Sequence, residues 1–158
     1  MAKFDLENMV DEVVALVKAQ LNTKIAEINA EKADSVTLAT IEATAYSVLS
    51  LNNGIMNFDP FVVVYVEDIE SQGIGPGTAD FITLPVIVVA ADMGTDTEIY
   101  KRMLRYMRAL KEIFEENFQR IEPGNNLIIE SVAPQYITGL NTNKRHRGAG
   151  VALKFTMC

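Results

Sequence analysis

Four places in this sequence carry residue types that could do chemistry. His146 is the only histidine of the chain. A histidine base needs a nucleophile beside it and an acid to orient it, and no serine stands in a recognisable motif with this one. The stretch Gly73-Ile74-Gly75-Pro76-Gly77-Thr78 has the glycine content of a phosphate cradle. It lacks the Gly-Lys-Ser/Thr ending and leads toward a strand, so the helix N-terminal donors that hold phosphate are not expected there. Asp68 and Glu70, two apart in an extended run, share a side and could hold a cation, but no further oxygen ligands follow at suitable spacing. Lys144-Arg145-His146-Arg147 is a basic run of the kind that touches phosphate backbones, set in an acidic chain with no aromatic residue among its charges. The expectation is therefore no catalytic residue, no cofactor, no metal and no specific DNA readout.

The elements that position these residues follow from periodicity. The stretch 95–118 starts with Thr95 and Glu98 in capping-box spacing. It then repeats Ile99, Met103, Tyr106, Met107, Leu110, Ile113, Phe114 and Phe118 at three- and four-residue steps, the stripe of an amphipathic helix. Its polar face carries Lys101, Arg102, Arg105, Arg108 and Lys111 early and Glu112, Glu115 and Glu116 late, against the preference of the helix dipole. Two readings stay open: these charges face another surface, or they form a solvated face. A first helix over 5–30 is marked by Leu6, Val10, Val13, Val17, Leu21, Ile25 and Ile28. Residues 31–54 read as an irregular connector with room for a short strand near 45–50. FVVVYVEDIE and FITLPVIVVAAD read as two strands joined by a loop at 71–80, with Pro85 implying an edge or a bulge. NLIIESVAPQYITG and VALKFTM give two more, joined by a loop at 141–149. The expected fold is one α+β domain over 1–158: a mainly antiparallel sheet of about four strands, order α-β-β-α-β-β, with two long helices packed on one face.

Charge is unevenly distributed. The net charge is -7, but residues 1–100 hold four basic and sixteen acidic side chains and residues 101–158 ten basic and five acidic. Complementary patches of this kind suit head-to-tail contact between copies; they would equally neutralise each other if the halves intermingle. The single cysteine, Cys158, excludes an internal disulfide and points to a reducing compartment. No apolar run approaches about 18 residues, and the charged start MAKFDLENMVDE lacks the apolar core of a secretory signal, so a soluble, unexported protein is expected.

The helix end KIAEINAEKADSVTLAT, the strand DPFVVVYVEDIES, the stretch VIVVAADMGTDTEIYKRMLRYMRALKEIFEEN with Tyr106, Ala109 and Leu110, and the closing pair around ESVAP and RGAGVALKFTM together resemble bacteriophage neck proteins, most nearly the tail terminators. The resemblance spans nearly the whole chain. It implies a structural virion subunit, usually in six copies, that forms a ring around a DNA channel at the head–tail junction. It implies contact with the tail tube protein, a head–tail connector or adaptor and a sheath protein, assembly in the host bacterial cytoplasm, no membrane and no enzymatic activity. Another neck or baseplate component, such as a head or tail completion protein, and a small cytosolic binding module are the alternatives. On the ring reading, Lys101, Arg102, Arg105, Arg108, Lys144, Arg145 and Arg147 are candidate interface residues. Glu67, Asp68, Glu70, Asp80 and Asp92 are candidates for an acidic bore or interface, and the 71–80 and 141–149 loops are the expected contact tips. Charge reversal at Arg102 and Arg105 is then expected to weaken association without loss of helix.

Overall fold

The computed structural model describes residues 6–48, 58–74, 77–91, 94–117, 127–137 and 145–157. Helix α1 (Leu6–Lys32) buries Val10, Val13, Val17, Leu21, Ile25 and Ile28, the stripe set by its periodicity, together with Met9, Val14 and Leu16. It ends where Ala33 turns into the left-handed region at φ 45°. Helix α2 (Asp96–Glu116) is capped by Thr95, whose side chain accepts the Glu98 N–H at 3.3 Å. The helices run antiparallel, as three side-chain pairings show: Gln20 with Asn117, Lys24 with Glu116, and Glu31 with Arg108. No helix among the described residues is long and apolar enough to cross a membrane.

The sheet corrects the four-strand expectation. It has six strands, β1 (Tyr46–Val48), β2 (Phe61–Val64), β3 (Asp68–Ile74), β4 (Gly77–Ala91), β5 (Ile128–Ile137) and β6 (His146–Met157), in the chain order α-β-β-β-β-α-β-β. Neighbours run β1-β2-β4-β6-β5, with β3 also on β4. All pairs are antiparallel except β1 with β2, which are parallel. The run FVVVYVEDIE is two strands because β2 and β3 take successive stretches of the same β4 edge, Val86 to Val89 and then Gly77 to Thr83. Continuous β-branched composition gives no warning of such a break.

Pro85 marks the changeover. It lies in the central strand, neither at an edge nor at a bulge of its ladder with β6, where it pairs with Ala152. Its carbonyl accepts the Tyr65 N–H at 3.3 Å. The residue's missing N–H faces that same side, where β2 gives way to β3, so no ladder bond to β6 is lost. Pro134 lies in the edge strand β5, inside the register shift between Val132 and Gln135.

Alternation along the ladders separates two faces. Val62, Val64, Leu84, Val86, Val88, Ala149, Val151, Leu153 and Phe155 share one face and are buried, and α2 crosses β4, β5 and β6 there. On the other face the positions are Phe61, Ile87, Val89, Ala91, His146, Gly148, Gly150 and Ala152. Here a side chain on Gly150 would meet the Val86 carbonyl oxygen at 2.0 Å, and one on Gly148 would meet Ile137 and Ile87 at 2.7 and 2.9 Å. The approach of β4 to β6 therefore requires glycine at 150, where the obstacle is backbone, while at 148 a side chain would have to displace those of Ile137 and Ile87.

Candidate functional site

Residues 33–45, expected to meander, form an ordered strap held by both helices. Asn22 of α1 donates to the Ile41 carbonyl at 3.0 Å and accepts its N–H at 2.8 Å. Asn29, seven residues on and therefore on the same side of the helix, does the same with Leu38 at 3.0 and 2.8 Å. Each amide thus presents the strap with the donor and acceptor that a neighbouring strand would offer. From α2, Tyr106 donates to the Ala39 carbonyl at 2.8 Å, and Arg105 donates to the Val36 carbonyl and to both oxygens of Asp34 at 2.9 and 2.6 Å. Hydrogen bonds from Arg105 hold the Asp34 carboxyl down at about 2. Burial raises the Tyr106 phenol above its usual range.

The unusual charge order of α2 is answered within the chain. Arg105 is only 8% exposed and faces Asp34. Arg108 bridges Glu31 at 2.6 Å and Glu112 at 2.8 Å, and Lys24 of α1 reaches Glu116 at 2.6 Å. The late acids of α2 meet a lysine of α1, and its early arginines meet the acidic end of α1 and the strap. Cross-helix ion pairs of this exposure contribute about 0–1 kcal/mol each, the same order as the dipole preference of about 0.3–1 kcal/mol per charge that they offset. Reversing Arg105 would set a carboxylate against Asp34, so the paired reversal of Arg102 and Arg105 would also break a contact within the subunit.

The remaining candidates fall into separate places. Lys101 is exposed; Arg102 is half-buried, with its Nε atom lacking a hydrogen-bond partner. Arg145 is exposed at the start of β6. Arg147 lies within β6, contacts Asp96 at 3.1 Å and the Tyr136 hydroxyl at 2.8 Å, and stacks over the Tyr136 ring. Glu67, Asp68, Glu70 and Asp80 converge on the β3–β4 hairpin, all exposed except the half-buried Asp80, which accepts a hydrogen bond from Ser71. Asp92 and Lys144 lie outside the described residues.

Both expected contact loops are shorter than read. Residues 71–74 and 77–80 belong to the paired strands β3 and β4, and 146–149 belong to β6. Hairpin pairing extends to Ile74 and Gly77 because polar and glycine residues on an outer strand lose little by standing in solvent.

His146 is buried 6.2 Å from the Phe61 ring centroid and, with Tyr136, Ile137 and Arg145, lines a cleft of about 350 Å³. Among the described residues no group of three or more His, Cys, Asp or Glu side chains is placed to share a metal ion. Sequence reasoning missed Asn22, Asn29 and the two glycines. Two asparagines seven apart inside an otherwise strong helix, where that residue type is disfavoured, were the available signal. No protein-family model matches the chain, and no curated protein matches it.

Proposed function

We propose that this chain is a ring-forming structural subunit of a bacteriophage neck, a tail terminator that caps the tail tube and joins it to the head connector around a channel for DNA. The reading rests on the resemblance over nearly the whole chain. The observation that carries it in the structure is the contrast between a helical layer whose charges are largely paired internally and a sheet in which β3 and β5, two of its edge strands among the described residues, stand largely in solvent. Exposed strand edges are surfaces that proteins either protect or use for association.

In this role the subunit works by shape and charge, with no bond made or broken. Six copies of the 17.5 kDa chain would weigh about 105 kDa. Acidic side chains of the β3–β4 hairpin turned toward the channel would repel phosphate and let DNA pass without sticking. The test is native mass measurement of the full-length protein, alone and with purified tail tubes. A species near 105 kDa, or a stoichiometric cap on tube ends, is expected; a 17.5 kDa monomer that leaves tubes uncapped would refute the reading.

A further inference from the structure

Among the described residues three strands, β1, β3 and β5, have a neighbour on one side only, and two of them, β3 and β5, are fitted to each other. Asp68 of β3, Thr83 of β4, Lys154 of β6 and Ile128 of β5 lie side by side at one level of the sheet. From that level β3 runs one way, to Ile74 beside Gly77, while β5 runs the opposite way, to Ile137 beside His146. The four strands β3-β4-β6-β5 therefore form a slanted strip with its open edges at opposite ends. Side chains are left in solvent along both: Ile69 is 50% exposed on β3 and Ile128 56% on β5.

We propose that β3 of one copy pairs with the first half of β5, residues 128–132, of the next copy, continuing one sheet around the ring. This rests on the ring reading above and supplies its contact. Three geometric facts support it. First, β3, β4, β6 and β5 alternate in direction, so a copy added at either edge by rotation meets it antiparallel, the stronger form of pairing.

Second, bringing β3 level with the next copy's 128–132 shifts each copy by about six residues along the strands for every four strands. At about 3.3 Å per residue and about 4.8 Å per strand this is about 20 Å of rise against about 19 Å of width, a tilt of about 45°. Closed barrels have tilts in this range, so the stagger that looks awkward in one subunit is the stagger a closed sheet needs. The Pro85 carbonyl, directed to Tyr65 between β2 and β3, fixes the hand. With the helices outside, the strands climb as a right-handed screw, the sense that strand twist favours.

Third, the shift at Val132/Gln135 ends regular pairing where β5 would otherwise run into β1 of its neighbour. Phe61, Ile87, Val89 and His146 are buried within the subunit, so on this register only the β3 end of the face opposite α2 meets the channel, with Asp68 and Glu70 turned inward and Asp80 on the outer side.

The N–H groups of Ile69, Ser71, Ile129 and Ser131 point away from their own sheet on this register. Ser131→Pro therefore removes an outward donor while sparing the ladder to β6, and Ile69→Lys places a charge on the opposite edge without touching β5. In a full-length Cys158→Ser background, Ser71→Cys and Ser131→Cys proteins are mixed with a short bifunctional thiol cross-linker. Mixed species should cross-link and either protein alone should not. Native mass should show Ser131→Pro and Ile69→Lys each lowering assembly at least tenfold with unchanged circular dichroism; Ile69→Lys decides the matter if the proline variant does not fold. A ring near 105 kDa that forms equally well from both edge variants and never cross-links overturns the strand pairing and leaves the ring reading standing. Cross-linked open filaments uphold the pairing and overturn the ring. A chain that stays monomeric at high concentration and gives no cross-link overturns both.

Discussion

The helical side of this molecule and the two ends of its sheet treat polar groups in opposite ways. On the helical side, Asn22, Asn29, Arg105 and Tyr106 close onto the backbone of one strap, and Lys24, Arg108 and their partners close the groove between α1 and α2. At β3 and the first half of β5, backbone donors and acceptors face outward beside exposed isoleucines. A hydrogen bond made within the chain contributes about 0.5–1.5 kcal/mol to folding. The same group on a free edge contributes nothing until another strand arrives. The strap side is thus closed within the chain, whereas on the proposed reading the edges are left for association, and substitutions should divide accordingly.

The sharpest break lies in the sheet interior that joins the two regions. Gly150→Ala would drive a methyl group into the β4 backbone and should cost about 3 kcal/mol, lowering Tm by about 10 °C in a thermal scan. Arg105→Ala leaves the buried Val36 carbonyl without its donor and should cost about 2 kcal/mol in denaturant unfolding. Asn29→Ala removes both bonds to Leu38 and should cost about 1–2 kcal/mol, with faster amide exchange at Leu38 as the specific readout.

Acid sharpens the comparison further. The Asp34 carboxyl sits at about 2 in the folded chain against an ordinary 3.8, so its stabilising effect is complete above about pH 4 and is lost as pH falls through 2. Unfolding curves of the native chain should weaken across that window more than those of Asp34→Asn. The smallest effect belongs to exposed charge: Lys101→Glu with Arg145→Glu should change stability by less than about 0.5 kcal/mol. If that double variant unfolds the protein, the division between a locked side and an open side is wrong.

Much of the helical layer was legible because helix signals are local. The Thr95 cap and the stripe of Ile99, Met103, Tyr106, Leu110, Ile113 and Phe114 lie within consecutive turns, and those residues are buried. The strap was not legible. Its residues have no period of their own because their partners are side chains up to 71 residues away. The division of FVVVYVEDIE into β2 and β3 was equally hidden, since it depends on where β4 runs out of room for β2. Pro85 was noticed in the sequence, yet its meaning depended on which side of β4 its missing N–H would face.

The sequence alone settled the two amphipathic helices, the α+β class and the uneven charge, because each is a property of residue type and spacing along the chain. Only the tertiary structure decided that the strap is pinned, that Arg105 and Arg108 pair within the subunit, and that the described sheet has six strands with β3 and β5 as staggered edge strands. Those outcomes depend on which distant backbone groups find a partner, and pairing between groups far apart in sequence leaves no periodic trace in it.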